Sequence, residues 1–297
     1  MHNAKILVIG SFNLDYVFNV ERFVRAKETM TSNRMSVHYG GKGFNQAVAL
    51  ARCFEQTYFA VHLNHKEQYM EAVLKNNGIK TDYLKFVDEP TGMAFIQVDG
   101  SGENCILLNK GANHSFSDSD TDAILKDFSK GDLLVLQNEI NDLQPLIKKA
   151  KYYGLKIALN PSPFTPDLLD LDLRDLDYLL INEVEGEQLT SKTDPEEIVR
   201  SLVEKSQNST IILTLGSKGV LAYHRQSWFH QEGRKVEAID TTAAGDTFTG
   251  YLLGMLMQGE KMETALKYAT YAASLSVMCR GAFESIPKYE DVEELMK

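Results

Sequence analysis

Short, continuous runs of apolar residues recur along the chain, and each run ends in glycine or polar residues. They occupy positions 5–10, 132–137, 156–160, 178–181 and 210–214. Longer, charged stretches typical of helices separate the later runs. Buried parallel strands have continuous apolar sequences, and strands that alternate with helices form parallel sheets. The pattern therefore predicts an α/β fold with a doubly wound, mostly parallel sheet flanked by helices, whose loops gather at one edge.

Two other stretches alternate between apolar and polar positions without a helical period. They cover about residues 14–40 and 91–110, and Gly100 and Gly102 mark a hairpin turn in the second. We expect them to pair into a small, separate sheet, whose apolar face needs a cover of substrate or a second subunit. Residues 1–297 are thus expected to form one α/β domain with a β-sheet lid that is also a homodimer contact.

Composition and charge limit the partners of this protein. The net charge is −10, with 43% apolar and 24% charged residues, which fits a globular protein and argues against a nucleic-acid-binding surface. No apolar run is long enough to span a bilayer, and the first residues lack the pattern of a signal peptide. The three cysteines lie far apart, as expected of reduced thiols. We therefore expect a cytoplasmic protein without nucleic-acid or membrane partners.

A turn of very small residues precedes a helix-like run near position 245. It reads TTAAG, followed by Asp246 and a helical pattern of apolar residues. Unpaired N–H groups at such a helix start form an anion site, and no large side chain blocks a phosphate. Asp246 could take a proton from a hydroxyl while these N–H groups hold charge on a transferred phosphoryl group. The alternative is an aspartate that the helix dipole favours, and the motif taken alone favours this alternative.

Two stretches carry polar groups that could bind a substrate. After the first strand, Asn13 and Asp15 lie two positions apart, so in an extended segment they project to one side. They could donate or accept hydrogen bonds to adjacent hydroxyls of a sugar, or they could belong to a turn that only connects the strand to the next element. The glycine-rich loop at 40–43 opens a helix, where Lys42 and Asn45 could donate hydrogen bonds to a polyhydroxy substrate. A tight turn is the alternative there, and the loop lacks the Walker A spacing.

Three segments in the second half could serve a nucleotide and its cations. Asn182 and Glu185 lie three apart at a helix start and could hold the waters of Mg²⁺, but they also match a capping box, which the pair alone favours. Residues 214–219 could run alongside a nucleotide or form a hairpin turn. Carbonyls at the helix end near Cys279, close to Asp240, could bind a monovalent cation, although other helix C-termini look similar.

These stretches together resemble a known family. GGKGFNQA (40–47) and DTTAAGDTFTG (240–250) resemble the two signatures of the PfkB family of carbohydrate kinases. GSFNLD, LQNE, NPSP, NEVEGEQLT, TLGSKG and CRGAFESIP, in that order, are similar to the ribokinase group of that family. The eight ordered motifs span nearly the whole chain, so chance assembly is not a serious alternative.

The resemblance implies an ATP-dependent sugar kinase with a ribokinase-like α/β fold. It would convert D-ribose and ATP to D-ribose 5-phosphate and ADP by in-line transfer, with Mg²⁺ and an activating K⁺. Asp246 would be the catalytic base, beside an anion hole of Ala243, Ala244 and Gly245. The residues implied to bind the sugar are Asn13, Asp15, Gly41, Lys42, Asn45, Glu139 and Asp246. Those implied for ATP are Asn182, Thr214, Gly216, Ser217, Gly219 and Gly245, with Glu185 for Mg²⁺. Those implied to surround K⁺ are Asp240, Thr242, Ser276, Cys279, Gly281 and Ser285.

Three segments depart from the ribokinase pattern. Residues 26–29 (AKET) stand where PGET is usual, Phe44 replaces an alanine of the sugar loop, and residues 65–67 (HKE) replace GDD. These differences bear on the lid, the cation response and the sugar preference. Because an aromatic ring can stack on a base, Phe44 leaves open a kinase that acts on a nucleoside or another sugar. A sugar- or nucleotide-binding regulator without catalytic activity is the alternative from another class.

Overall fold

The computed structural model describes residues 4–297, which form two β-sheets and nine α-helices. The strands are Ile6–Ile9 (β1), Asn13–Asn19 (β2), Arg34–Gly40 (β3), Thr57–Asn64 (β4), Leu84–Val87 (β5), Gly92–Val98 (β6), Asn104–Asn109 (β7), Leu133–Gln137 (β8), Lys156–Asn160 (β9), Tyr178–Asn182 (β10), Thr210–Thr214 (β11), Gly219–His224 (β12) and Ser227–Glu232 (β13). The helices are Lys42–Cys53 (α1), Met70–Asn76 (α2), Asp118–Leu125 (α3), Leu143–Tyr152 (α4), Glu183–Thr190 (α5), Pro195–Ser206 (α6), Ala244–Met257 (α7), Met262–Ser276 (α8) and Tyr289–Met296 (α9).

The larger sheet has nine strands in the order β13-β12-β11-β10-β9-β8-β1-β4-β5. The strands from β11 to β5 in that order are parallel, whereas β12 and β13 pair antiparallel at one edge. This arrangement confirms the predicted doubly wound, mostly parallel sheet. The order reverses between β1 and β8, and ligands of such sheets bind outside the carboxyl ends of the strands at this point.

Strand side chains alternate between two buried apolar clusters, one on each face of the large sheet. In β1, Ile6 and Val8 join one cluster, and Leu7 and Ile9 join the other. Helices α1, α2 and α7 to α9 contribute to the first cluster, and α3 to α6 contribute to the second. Because both faces are covered, the strands need apolar residues at successive positions, which explains their continuous apolar sequences.

Helices α1 and α7 pack closely on one another. Gly250 of α7 faces α1, and a Cβ atom at this position would lie only 2.8 Å from the Leu50 backbone nitrogen. A larger side chain would therefore force the helices apart. The contact matters for the site because the first turns of both helices carry candidate functional residues.

The second sheet has the order β3-β2-β6-β7, with β2 and β6 parallel and the outer pairs antiparallel. It confirms the small sheet predicted from the alternating stretches, and a turn around Gly102 joins β6 and β7. Several apolar side chains of this sheet are exposed, namely Met35, Val37, Ile106, Leu107 and Leu108.

The thiols of Cys53, Cys105 and Cys279 are free, and Cys53 is the buried one of the three. Within residues 4–297, no helix combines the length and apolar character that crossing a bilayer requires.

Candidate active site

The start of α7 exposes backbone donors, as the turn of small residues predicted. Ala243 adopts a left-handed conformation with φ 59°, and its carbonyl accepts a hydrogen bond from Thr247 N–H at 2.8 Å. The N–H groups of Gly245 and Asp246 find no acceptor among residues 4–297. A Cβ atom at Gly245 would meet no other atom within 4 Å, so open space lies in front of these donors. The turn can therefore receive an anion.

The Asp246 carboxylate lies in the first turn of α7, and the residue is only 6% exposed. It accepts one hydrogen bond from Asn45 Nδ2 at 3.1 Å and another from Gln46 Nε2 at 2.9 Å. Both donors belong to the first turns of α1, which the contact at Gly250 holds against α7. The two amide donors hold the carboxylate in place, and a carboxylate can accept a proton from a hydroxyl.

Polar side chains converge where the strand order reverses. Asn13 and Asp15 follow β1, and Glu139 follows β8. The Glu139 carboxylate accepts hydrogen bonds from the Lys42 backbone N–H, at 2.9 Å, and from the Ser11 hydroxyl. The structure therefore brings the loop after β1, the glycine-rich loop and the loop after β8 together at the strand reversal.

Burial and charge shift the pKa of three groups at this site. Burial opposes the charge on Lys42, but the carboxylates of Asp246, Glu139 and Glu185 outweigh it and raise the pKa of Lys42. Burial raises the pKa of Glu139, although Lys42 and Ser11 act in the opposite direction. Burial, together with the charges of Glu139 and Glu284, raises the pKa of Asp15 to about 7. A cationic Lys42 thus stands among carboxyl groups that a polyhydroxy ligand could contact.

Two clefts meet at the start of α7. The first, of about 220 Å³, contains Lys42, Asn182, Glu185 and Asp246. The second is larger and mostly apolar, at about 420 Å³, and its lining residues include Thr214, Gly216, Ser217, Gly219, Phe248, Ala273 and Val277. Thr214, Thr241, Ala244 and Gly245 line both clefts. The anion site therefore lies between a polar cleft and a groove whose apolar wall suits the base of a nucleotide.

The residues predicted to contact the nucleotide also have structural roles. Residues 214–219 form the turn of the β11–β12 hairpin and line the larger cleft, so both alternatives describe the same segment. Asn182 and Glu185 form a capping box, in which Asn182 Oδ1 accepts from Glu185 N–H at 2.9 Å and Glu185 Oε2 accepts from Asn182 N–H at 3.1 Å. Glu185 still borders the first cleft. Capping therefore does not preclude a contact with a hydrated metal.

Residues 4–297 contain no group of three or more His, Cys, Asp or Glu side chains that could hold a metal ion. Mg²⁺ at nucleotide sites keeps several waters and takes ligands from one or two carboxylates and the phosphates. Glu185 is 6% exposed and Oε2 is engaged in the cap, which leaves Oε1 for such a contact. The donor set fits a metal delivered with a nucleotide.

The residues predicted to surround a monovalent cation lie close together. Asp240 Oδ1 accepts from the N–H and hydroxyl of Thr242, at 2.9 and 2.6 Å, and Oδ2 accepts from Gly281 N–H at 3.1 Å. Burial raises the pKa of Asp240, but these hydrogen bonds outweigh it and lower the pKa overall. The Ser276 carbonyl accepts from Cys279 N–H at 3.1 Å, and the Ser285 hydroxyl donates to Ala282. The two segments thus meet beside the start of α7.

The structure corrects the suggestion that Phe44 could stack on a base. Phe44 is 0% exposed and packs against Phe12 and Phe283, with ring centroids 5.2 and 5.1 Å apart. It is a core residue because it points from α1 into the cluster beneath the site. Its aromatic ring therefore gives no support to a nucleoside substrate.

The other two departures from the family pattern lie at the surface. In the 26–29 segment, Glu28 pairs with Arg22 through two hydrogen bonds of 2.7 and 2.8 Å, and both side chains are exposed. In the 65–67 segment, Glu67 accepts a hydrogen bond from the Thr91 hydroxyl at 2.8 Å. Both segments therefore form contacts of their own within this chain.

Sequence reasoning missed several polar residues of the site. Four of them lie within the sequence motifs quoted above. The signal that could have identified them is a polar side chain among apolar neighbours. The four are Ser11, Gln46, Gln137 and Asn160. The fifth, Asn113, follows the second alternating stretch and donates to Asn13 Oδ1 at 2.8 Å. No local pattern distinguishes Asn113 from an ordinary turn residue.

The chain is similar to known proteins over nearly its full length, which includes every residue of the site. The family described as "pfkB family carbohydrate kinase" matches residues 3–289. The chain is 34% identical to the ribokinase of Haemophilus influenzae and 33% identical to the deoxyribokinase of Salmonella typhimurium, over 98% of each chain in both cases. The ribokinase of Arabidopsis thaliana complexed with ribose and ATP is 30% identical, with a TM-score of 0.89 over 100% of this chain and 99% of that one. The ribokinase of Cryptococcus neoformans with ADP is 32% identical, with a TM-score of 0.87 over 99% of this chain and 100% of that one.

Proposed function

The chain belongs to the pfkB family of carbohydrate kinases, and we propose that it phosphorylates D-ribose with ATP, giving D-ribose 5-phosphate and ADP. The observation that carries the proposal is the position of the Asp246 carboxylate. It lies beside the unpaired N–H groups that start α7, and between the polar residues at the strand reversal and the larger cleft. Ribokinases similar to this chain over nearly its full length support ribose as the sugar.

In the proposed reaction, Asp246 accepts the proton of the sugar hydroxyl as that oxygen forms a bond to the γ-phosphorus of ATP. The bond from this phosphorus to the bridging oxygen of ADP breaks in the same in-line displacement. The unpaired N–H groups of Gly245 and Asp246 stabilise the charge on the transferred group. They lie at the anion hole predicted over Ala243, Ala244 and Gly245, in which the Ala244 N–H already donates to the Thr241 carbonyl at 3.3 Å. The helix dipole of α7 adds to this stabilisation.

We assign the sugar to the site at the strand reversal. Asn13, Asp15 and Glu139 offer hydrogen-bonding groups to its hydroxyls, and Lys42 offers a cation near the incoming phosphate. Gly41 and Asn45 complete the predicted set, with Gly41 at the loop that precedes α1. The second sheet, whose strand β2 begins and whose strand β3 ends beside this site, would act as the lid over the sugar.

We assign ATP to the larger cleft. Its adenine base would lie near the apolar wall of the cleft, and its phosphates would point to the start of α7. Asn182, Thr214, Gly216, Ser217, Gly219 and Gly245 would contact it. Bound Mg²⁺ neutralises charge on the phosphates, and Glu185 would hold it through water. The segment from Asp240 to Thr242 and the loop from Ser276 to Ser285 would bind K⁺ and hold the anion turn in place.

The exposed apolar residues of the second sheet support a homodimer through this face. An uncovered sheet of this kind favours pairing with a second copy, which would also steady the lid. Its outer strand β7 alone carries three exposed apolar residues, Ile106, Leu107 and Leu108. We place the enzyme in the cytoplasm, in keeping with its free thiols.

A second candidate substrate is 2-deoxyribose, because the chain is about as similar to a deoxyribokinase as to ribokinases. ADP release with Mg-ATP would be measured over ribose, deoxyribose, fructose and nucleosides, each with K⁺ or Na⁺. The highest kcat/KM on ribose, raised by K⁺, would support the proposal, and a preference for deoxyribose would favour the second candidate. Sugar binding without ADP release from any member of the panel would favour a regulator and overturn both.

A further inference from the structure

A chain of buried amides leads from the centre of the large sheet to the Asp246 carboxylate. Gln137, at the end of β8, donates from Nε2 to Gln46 Oε1 at 2.7 Å. Gln46 donates from Nε2 to Asp246 Oδ1 at 2.9 Å and to Asn160 Oδ1 at 3.2 Å. Both glutamines are 0% exposed, so water does not compete for these bonds.

The hydrogen bonds around Gln46 fix the direction in which its amide points. Asn160 donates from Nδ2 to the Leu180 carbonyl at 2.9 Å, which turns its oxygen toward Gln46. Gln46 then meets two acceptors, Asn160 Oδ1 and the Asp246 carboxylate, with the two hydrogens of its NH₂ group. A flipped amide would place an oxygen against both acceptors, so Asn160 Oδ1 and Asp246 Oδ1 would both lose their donor.

We infer that Gln46 is a positioning residue for the proton transfer, held in place by Gln137 and Asn160, and that it fixes the rotamer of the Asp246 carboxylate. Gln46 does not touch the transferred group. It acts through the carboxylate, because a buried donor to one oxygen limits rotation about χ2. The inference rests on the proposed role of Asp246 as the base.

Other charged groups also act on the Asp246 carboxylate. Lys42 and Glu139 both interact with it electrostatically, with opposite effects on its charge. Asn45 supplies the second hydrogen bond, to Oδ2. None of these three groups changes in the variants proposed below, so differences between the variants report on the amide chain.

The direct test is Gln46→Met, which keeps the length of the side chain and removes its donor. We expect kcat to fall about 10- to 100-fold, since a base contributes about 10²- to 10⁴-fold and keeps part of that when it is misplaced. KM for sugar and for ATP should stay within about 3-fold, because Gln46 lines neither cleft.

Gln137→Met tests the same inference without touching the carboxylate. It frees Gln46 to turn, so kcat should fall as in Gln46→Met but by less, again with KM for sugar and for ATP unchanged. The matched control is Gln144→Met, because Gln144 accepts a hydrogen bond from Asp172 N–H at 2.7 Å outside both clefts. The control should lower thermal stability and leave kcat and both KM values unchanged.

A folded Gln46→Met enzyme with wild-type kcat, or with a loss that appears in KM and not in kcat, would overturn the inference. If Gln46→Met does not fold, Gln137→Met decides by the same criteria. A wrong choice of substrate can be told apart from a failure of this inference. The kinetic comparison of wild type and variants can be repeated on whichever sugar the wild type phosphorylates. If no sugar is turned over, crystal structures of wild type and variant decide, and an Asp246 carboxylate in the same rotamer in both would overturn the inference.

Discussion

Asn113 donates a hydrogen bond from Nδ2 to Asn13 Oδ1 at 2.8 Å, and its own Oδ1 accepts from Phe12 N–H at 3.0 Å. Both amides are buried, at 3% and 7% exposure. The backbone donor therefore fixes the orientation of Asn113, and Asn113 in turn fixes that of Asn13. As a result, the NH₂ group of Asn13 is the end left to donate to a ligand.

This relationship predicts the effect of Asn113→Asp. The new carboxylate still accepts from Phe12 N–H, but it now attracts the NH₂ group of Asn13 and turns that amide over. Asn13 would then present an oxygen where a sugar hydroxyl expects a donor. We expect KM for the sugar to rise about 10-fold, the equivalent of one hydrogen bond, with kcat and KM for ATP unchanged.

Steady-state kinetics and calorimetric sugar binding would check this effect. Asn109→Asp is the matched control, because its exposed side chain accepts from Gly111 N–H at 3.0 Å and an aspartate keeps that bond. An unchanged sugar KM in a folded Asn113→Asp enzyme would contradict the assigned orientation of Asn13.

Asp246→Asn should separate binding from chemistry. The amide has the same shape and still accepts a hydrogen bond, so sugar affinity should stay within a few-fold of wild type. Since it cannot take a proton, kcat should fall by at least about 10³-fold. Calorimetry and ADP release would measure the two quantities, and turnover near that of wild type would exclude Asp246 as the base.

Gly245→Ala should impair catalysis without harming the fold. Its Cβ would meet no other atom within 4 Å, and alanine is favoured over glycine in a helix by about 1 kcal/mol. The melting temperature should therefore stay equal or rise. The methyl group would occupy the open space in front of the anion turn, so kcat/KM for ATP should fall about 10-fold or more.

Gly100→Ala is the matched control for this variant, because a Cβ there also meets no other atom. It lies in the β6–β7 turn and should leave the kinetics unchanged. A Gly245→Ala enzyme that binds and uses ATP normally would show that no phosphate approaches this turn.

Features set by local sequence could be predicted, because neighbouring residues determine them. The anion turn depends on small residues before Asp246, and the main sheet depends on continuous apolar runs such as that in β1. The capping box of Asn182 and Glu185 was one of two alternatives, and the structure shows that both residues also border a cleft. The same spacing of Asn182 and Glu185 fits both a capping box and a metal contact, so the sequence alone did not decide between the two.

Features that depend on distant contacts could not be predicted. Gln46 and Gln137 lie 91 positions apart, and Asn113 lies 100 positions from Asn13. Their hydrogen bonds exist only because the strand order brings separate loops together. The suggestion that Phe44 stacks on a base was wrong for the same reason. Its position in the glycine-rich loop did not reveal that the ring packs inward against Phe283.

Glu185→Gln should distinguish metal binding from capping. Glutamine can keep both hydrogen bonds of the capping box, so the melting temperature should change by less than that of Glu185→Ala, which loses about 1 kcal/mol. Loss of the charge should raise the Mg²⁺ concentration needed for half-maximal activity several-fold. A titration of activity with Mg²⁺ at fixed ATP would measure this requirement, and an unchanged titration would leave Glu185 with capping alone.

Asp15 should make the stability of the ligand-free protein depend on pH. Its pKa in the folded state is about 7, against an ordinary value of 3.8, because of burial and the charges of Glu139 and Glu284. Between these two values the folded state keeps a proton that the unfolded state releases, so the free energy of unfolding falls as pH rises. Above about pH 7 both states are ionised, and the loss is complete. Since one pKa unit corresponds to about 1.4 kcal/mol, and partial exposure reduces the effect, we expect a loss on the order of 2 kcal/mol.

Asp15→Asn removes this loss, because an amide carries no charge at any pH in this range. The variant should therefore melt several degrees above wild type at pH 8 and at nearly the same temperature at pH 4.5. Asp170→Asn is the control, because the Asp170 side chain is exposed and forms no ion pair or hydrogen bond within residues 4–297, so its melting curves should show no such divergence between the two pH values. Sugar must be absent, since a ligand that bonds to the ionised carboxylate would offset the effect. Parallel melting curves for wild type and Asp15→Asn at both pH values would mean that the carboxyl is solvated, and that the site is open to water before the sugar binds.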